Sequence, residues 1–521
     1  MAWYDEAVFY HIYPLGLTGA PARNVYGEPE HRLKSLEPWI EHLRALGCTG
    51  LYIGPLFESV GHGYETTDYR RMDSRLGDNG DLKAFVKRCH ESGIRVILDA
   101  VFNHTGRDFF AFRDLKERRE QSPYRDWYCG VNFWGNNEYN DGFSYDNWGG
   151  YNLLAKLNLR NPAVRDYLLD TVRFWVSEFD IDGLRLDAAD VLDFDFMRAL
   201  RRCTDALKPD FWLMGEVIHG DYARWANGET LHSVTNYHLH KALYSGHNDH
   251  NYFEIAHTVR RQAELRDRGI RLYSFADNHD VERICTKLKC KAHYLPVHVL
   301  LYTLPGIPSV YYGSEFAVEG RKERGSDASL RPCLDLEELQ RRDDPHCALI
   351  AALGKIHREE KALSYGDYRE LQLSTTQYAF ARGDLIVTVN NGDGAVLFDV
   401  PGTGTYRGAL SGQEIAAENG RLRPELPAAG AEIWIPQTGE RPRYEPLKQS
   451  FAAEPQTAAV PAAEPERAPA GKPYEQMSVE ELQAEILAKM ARNGPVTDRM
   501  RRDVLENVYP NSLLNWVKSF R

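Results

Sequence analysis

The sequence predicts an α/β fold: a parallel (β/α)8 barrel with an inserted loop domain after strand 3, a C-terminal antiparallel, β-sandwich-like domain and a short helical C-terminal module. Three observations predict it. Short apolar runs alternate with amphipathic helical patterns over the first two thirds of the 521 residues. About eight such strand–helix units occur, the number that closes a barrel. No GxGxxG or P-loop accompanies the first unit, which sets the doubly wound open sheet aside.

In order, the predicted strands are "VFYHIYPL", "GLYIGPL", "RVILDAVF", "GLRLDA", "WLMGEV", "SVTNY", "LYSFAD" and "SVYYG". Helices are predicted at Leu36–Leu46, Asp81–Ser92, Phe194–Leu207, Tyr252–Arg266 and His293–Leu304. The clearest helix follows Asn161, a capping residue, and Pro162, which suits a first turn. Val164, Leu168, Val172, Trp175 and Phe179 then recur at three- and four-residue steps and define one apolar face. The connection over residues 103–158 is long, aromatic and without helical period, and predicts an inserted domain whose rings either contact a ligand or form a private core. From Gly366 the pattern turns to alternation, as in "YRELQLSTTQYAFARGDLIVTVNNG", and predicts an antiparallel β domain. The predicted division is 1–365 for the barrel, 366–437 for the β domain, 438–473 for a Pro/Ala-rich linker and 474–521 for the helical module. In the module, Ser478 and Glu481 form a capping-box pattern, and Leu482, Ile486 and Met490 continue one face.

Composition excludes several classes. The chain has 63 basic and 75 acidic residues, a net charge of -12. That disfavours nucleic acid and anionic membrane as partners. The opening "MAWYDEAVFYHIYPLG" has neither a basic n-region nor a long apolar core, so the expectation is a cytoplasmic protein. The apolar stretch "YLPVHVLLYTLPGIPSVYYG" is broken by His298, Pro305, Gly306 and Pro308 and does not read as a membrane span. The 8 cysteines are scattered. Cys285 and Cys290 lack the second pair of a zinc site, so reduced thiols are expected and no metal is assigned.

The chemistry lies at the strand ends. Strand three ends in "DAVFNH", with Asp99, Asn103 and His104; strand four carries Arg185 and Asp187; strand five ends at Glu216; strand seven ends in "FADNHD", with Asp277, His279 and Asp280. Charges converging from four strands on one face of a barrel imply purpose, because burying them is costly. Carboxylates so placed suit acid–base and nucleophilic work at an acetal centre. Arg185 and Asp187 share a face of their strand, and the guanidinium favours the charged form of Asp187, which makes Asp187 the nucleophile. Glu216, leaving an apolar strand, is the candidate acid/base with a raised pKa. Asp280 is the third carboxylate, stabilising positive charge in the transition state. His104 and His279 are placed to bond sugar hydroxyls.

"DAVFNH", "GLRLDAAD", "GEV" and "FADNHD", in this order and spacing, resemble the four signature regions of the α-amylase family of glycoside hydrolases. "GYETTDY" and "PGIPSVYYGSE" resemble two further segments of that family. The resemblance covers roughly residues 7–436 and implies a retaining hydrolase of α-glucans with Asp187, Glu216 and Asp280 as catalytic residues. It implies that Tyr64, His104, Arg185 and His279 bind substrate and that Asp99 supports the site. "LLAKLN", ending at Asn158, is similar to a segment of the neopullulanase, cyclomaltodextrinase and maltogenic amylase group. Asp190 and Val191 stand where that group has Asn and Glu. The chain also opens at the barrel, without the amino-terminal β domain through which that group often dimerises.

The resemblance implies cleavage of α-1,4 bonds in maltodextrins, with cyclodextrins and pullulan as further substrates. An α-glucosidase, an α-1,6-acting enzyme or a glucosyltransferase of the same family is the alternative, and a non-catalytic sugar-binding member the remote one. No cofactor is required on this reading. Calcium at Asn103 is an alternative, and the early loop "GLTGAPARNVYGEP" lacks the Asp-rich pattern that would support it. The expected partner is an oligosaccharide; an oligomer or protein contact through residues 474–521 stays open.

Overall fold

The structure, a computed structural model, describes residues 2–323, 326–439, 441–448, 474, 479–493, 504 and 517. The chain divides into two compact units, 1–453 and 454–521.

The first unit is built on eight parallel strands: β1 Phe9–Ile12, β2 Gly50–Ile53, β3 Arg95–Ala100, β4 Gly183–Leu186, β5 Trp212–Gly215, β6 Ser233–Val234, β7 Tyr273–Phe275 and β8 Ile307–Tyr311. Hydrogen bonds link them in the order β6-β5-β4-β3-β2-β1-β8-β7. A single parallel bridge, Thr235 to Tyr273, closes the ring between β6 and β7. All eight predicted strands are therefore present, and they form a (β/α)8 barrel.

The barrel interior is aromatic. Phe9 stacks on Trp212 at 5.0 Å, and Tyr52, Tyr273 and Phe275 fill the space around them. Gly50 makes this possible: a Cβ there would lie 2.7 Å from the Phe9 ring. Outside, the Pro162–Phe179 helix buries Val164, Leu168, Val172, Trp175 and Phe179, the predicted face. Asn161 caps it, accepting the Ala163 N–H at 2.9 Å. Trp175 stacks on Phe57 at 4.3 Å and locks this helix to the barrel.

Some elements differ from expectation. The β5–β6 connection holds only a 3-10 turn, Tyr222–Arg224, in place of an α-helix. The β6–β7 connection holds two helices, Tyr237–Asn248 and Tyr252–Arg261, followed by a short one, Ala263–Asp267. The predicted Tyr252–Arg266 helix thus breaks at Gln262, whose side chain instead donates to Asn236 Oδ1 at 2.7 Å. Asn236 is the cap of the first of those helices, accepting from the Leu239 N–H.

The connection after β3 forms a three-stranded antiparallel sheet from His104–Thr105, Tyr151–Lys156 and Asn147–Trp148. Its aromatic residues divide. Phe112, Tyr128, Phe143 and Tyr145 are buried and continue the core that surrounds the barrel. Trp134, Tyr139, Trp148 and Tyr151 are exposed.

The antiparallel strands beyond the barrel run from Tyr368 to Pro436, six in one sheet with two short ladders over it, enclosing Phe398, Val400 and Trp434. Residues 441–448 pack back on this unit rather than starting a linker: Tyr444 is buried, and its hydroxyl donates to Glu360 at 3.2 Å. In the second unit, the helix Val479–Asn493 buries Leu482 and Ile486 with Val504 and Val517. Ser478 and the expected linker from 449 to 473 lie outside the described residues. Among the described residues, no helix is long and apolar enough to cross a membrane.

Candidate active site

The barrel ladder delivers the carboxylates. Asp99 on β3 and Arg185 on β4 are register partners. The ladder continues past both strands: the Asp187 N–H donates to Ala100 O at 3.0 Å and the Glu216 N–H to Leu186 O at 2.9 Å. Both backbones are thus fixed before either side chain is considered.

Arg185 stands at the centre, buried. Its Nη1 donates to Asp99 Oδ1 at 2.8 Å and Asp187 Oδ1 at 2.9 Å, and its Nη2 lies 2.9 Å from Glu216 Oε2. The strand pattern pairs this guanidinium with Asp187 alone; the structure shares it among three carboxylates. Burial raises the pKa of Asp187 and of Glu216, and Arg185 opposes the rise in both. The contrast expected between a charged Asp187 and a protonated Glu216 is therefore not built by Arg185. Buried carboxyl groups gathered on one cation behave as a unit in their proton uptake.

Next to Asp187 the chain turns through Ala188, which adopts left-handed angles (φ 46°, ψ 43°). A non-glycine residue there is strained by about 1 kcal/mol or more. The turn aims the Ala188 N–H at Glu216 Oε2, 3.0 Å away. The Tyr237 hydroxyl lies 3.4 Å from Glu216 Oε1 and accepts from Asn278 Nδ2 at 3.1 Å.

Asp280 receives Arg331 Nη2 at 2.9 Å, while Arg331 Nε donates to His279 O at 2.9 Å. His279 Nε2 lies 3.1 Å from Asp280 Oδ2 and 2.5 Å from the Tyr64 hydroxyl. Tyr64 and Tyr52 both donate to Asp99 Oδ2 at 2.9 Å. Tyr64, Asp99, Arg185, Asp187, Glu216, His279 and Asp280 are thus one connected network.

His104 is nearby but differently employed. It is buried, with its pKa pushed down to about 4 by burial. Its Nε2 lies 3.1 Å from the Tyr64 carbonyl and its Nδ1 3.2 Å from Asn103 Nδ2. Both ring nitrogens thus have protein partners. Asp277 is outside the network: it accepts from Ser314 Oγ and the Ile284 N–H, both at 2.7 Å. Asp190 is exposed, as is Val191 beside it.

The sequence reading missed Tyr52, Tyr237, Asn278 and Arg331. Asn278 lies inside the quoted "FADNHD". The others carry no local signal, since they join the site from other strands or from far along the chain.

Asn103 Nδ2 contacts His104 Nδ1 at 3.2 Å, and Asp141 of the inserted domain is already held by both Arg107 Nη atoms, at 2.6 and 2.7 Å, so it is not available to a calcium ion at Asn103. The group His31, Asp78 and Asp81 brings ligand atoms together. It is a helix cap, however, with Lys34 already 3.2 Å from Asp81. The early loop is fastened instead by Arg75, whose side chain is buried. It donates to both oxygens of Asp73, to Ser59 Oγ and to the carbonyls of Pro21 and Gly61 at 2.7–2.9 Å.

Buried, cation-linked carboxylates at the C-terminal ends of barrel strands define a site for acid–base and nucleophilic chemistry on a neutral substrate. Comparison with known proteins gives the family. The α-amylase catalytic domain matches residues 32–347. A cyclomaltodextrinase of Geobacillus thermopakistaniensis is 32% identical over 83% of this chain and 77% of its own length. Neopullulanase 2 of Thermoactinomyces vulgaris is 31% identical over 83% of this chain and 78% of its own. A solved cyclomaltodextrinase structure superposes with a TM-score of 0.75 at 27% identity, covering 83% of this chain and 78% of that one. The chain belongs to the α-amylase family of glycoside hydrolases.

Proposed function

We propose that this protein is a retaining α-glucan hydrolase acting on α-1,4 bonds of maltodextrins, with cyclodextrins and pullulan as further substrates. The observation that carries the reading is the Arg185 guanidinium holding Asp99, Asp187 and Glu216 together, with Asp280 across the site. Asp187 attacks the anomeric carbon as Glu216 gives its proton to the departing glycosidic oxygen, forming a glycosyl-enzyme ester. Glu216, now ionised, takes a proton from water, whose oxygen displaces Asp187 and restores the original anomeric configuration. Two carboxyl groups that share one guanidinium are near neighbours. Double displacement needs them ~5–5.5 Å apart, closer than a single displacement, which leaves room for a water. Asp280 balances the positive charge that develops on the sugar. Tyr64, Arg185 and His279 form the wall around the reacting ring, Asp99 orients Tyr64 and Arg185, and His104 contacts the sugar by exchanging its protein partners for hydroxyls.

No cofactor or metal enters these steps. We place the enzyme in the cytoplasm, in keeping with eight free cysteines, among them the exposed Cys333. We assign residues 1–365 to catalysis, with 103–158 inserted, and 366–437 to the β domain. The test is product analysis on maltoheptaose, β-cyclodextrin and pullulan, with proton NMR of the first anomer formed and Asp187→Ala as control. Initial α-anomer, and a loss of roughly a thousandfold or more in the variant, is expected. Initial β-anomer, or no cleavage of any of these by the parent, overturns the reading.

A further inference from the structure

A pocket of about 300 Å³ lies between the barrel and the β domain. Leu272, Pro305 and Gly306 line it, and they lead into β7 and β8 at their N-terminal ends. It is therefore at the end of the barrel opposite the catalytic carboxylates. Three arginines line it, Arg266, Arg271 and Arg382, and the proposed chemistry uses none of them.

Arg382 ends the strand Gln377–Arg382 and is buried. Its Nη1 donates to Thr303 O at 2.7 Å, and its Nη2 to Leu363 O at 2.6 Å and Gly366 O at 3.3 Å. These carbonyls fix the guanidinium, but none carries a full negative charge. The carboxylates nearby are engaged with other arginines: Asp5 with Arg271, Asp267 with Arg266 at 3.3 Å and Asp367 with Arg369 at 3.3 Å. Burial, followed by the charges of Arg271 and Arg266, lowers the pKa of Arg382 to about 10. A buried cation crowded by two others and lacking an ionic partner is costly.

A second observation points the same way. Ser364 lines this pocket, and among the described residues its Oγ is buried without a hydrogen-bond partner. Its carbonyl accepts from Arg271 Nε at 3.1 Å, which sets the serine beside that guanidinium. Arg271 uses Nε and Nη1 on protein, and Arg266 uses Nη2, so each keeps N–H groups for a ligand. The Tyr365 ring lies 4.9 Å from the Arg271 guanidinium and the Tyr368 ring 5.6 Å from that of Arg266, and both steady the cations.

We propose that this pocket binds a small phosphomonoester: Arg266 and Arg271 take its phosphoryl oxygens, the Ser364 hydroxyl donates to one of them, and Arg382 supplies a fixed positive charge behind them. Guanidinium groups match phosphoryl oxygens in geometry, and a dianion supplies the charge the three cations lack. The volume leaves room beyond the phosphoryl group for a small organic body, and Leu265 and Leu272 give that body an apolar wall.

The experiment is calorimetric titration of the full chain at low ionic strength with glycerol 3-phosphate, inorganic phosphate and glycerol. The ester is expected to bind once per chain and more tightly than inorganic phosphate, and glycerol not at all. Arg266→Gln and Arg271→Gln are each expected to weaken the ester by roughly tenfold or more, the effect of one lost charged hydrogen bond, and Ser364→Ala by roughly fivefold. Arg369→Gln, an exposed arginine outside the pocket, is expected to leave binding within about twofold. Tm without ligand confirms that each variant folds. No heat from the ester overturns the proposal, as does inorganic phosphate binding more tightly than the ester. Losses in Arg266→Gln and Arg271→Gln no larger than in Arg369→Gln also overturn it. If Arg271→Gln, which gives up the Asp5 pair, does not fold, Arg266→Gln and Ser364→Ala decide in the same way. Since the titrations need no glucan, an unexpected specificity of the hydrolase leaves this test intact.

Discussion

Arg185→Lys keeps a positive charge in the site and removes the fork. In the structure Nη1 serves Asp99 and Asp187, while Nη2 alone reaches Glu216. One ammonium cannot occupy both positions; placed at Nη1, it retains the two aspartates and releases Glu216. A hydrogen bond to a charged group contributes ~1.5–3 kcal/mol, which corresponds to roughly 10- to 150-fold in kcat/KM. The same change predicts a shape for the pH profile. Arg185 lowers the pKa of both Glu216 and Asp187. Freed from the guanidinium, Glu216 keeps its proton to higher pH, so the alkaline limb moves up. Asp187 stays beside the ammonium, so the acid limb moves less. The assay is kcat/KM on maltoheptaose across pH, with Tm recorded to confirm folding. A kcat/KM within about threefold of the parent, or an alkaline limb that moves down, would refute the view that the fork organises the site.

Arg75→Met removes a buried guanidinium and strands Asp73; a loss of ~3–5 kcal/mol in stability is expected, read as a lower Tm, whereas EDTA leaves the parent's Tm unchanged. Trp148 is exposed, with its ring 6.2 Å from that of His104, where it offers a stacking face to a sugar beyond the reacting one. Trp148→Ala is expected to raise KM for maltoheptaose roughly fivefold and for maltotriose less, by steady-state kinetics; equal effects on both would remove Trp148 from substrate contact.

The strands and most of the site were legible because barrel chemistry concentrates charge at the ends of short apolar runs. Asp99 and Arg185 sit within such runs near their ends, and Asp187, Glu216, His279 and Asp280 follow directly after them or within a few residues. Arg331 was hidden because it bonds Asp280 from 51 residues away, out of a loop with no period. Tyr237 was hidden because "YHLHKALYSGHN" buries two histidines, His240 and His247, on its inner face and so lacks a clean apolar stripe. The sharing of Arg185 was beyond one-dimensional reading: register pairs it with Asp99, but only the barrel's curvature brings Glu216 to its other nitrogen.

The β6–β7 closure has a mechanical consequence. Glu216 and Asp280 stand on opposite sides of a junction that the backbone spans with one bridge. Side chains join its two banks as well: Asn278 holds Tyr237, Tyr237 reaches Glu216, and His240 Nδ1 meets the Ala276 carbonyl at 2.7 Å. A junction bridged once in the backbone depends on its side chains for register, so removing the Tyr237 hydroxyl or the Asn278 amide is expected to shift Glu216 relative to Asp280.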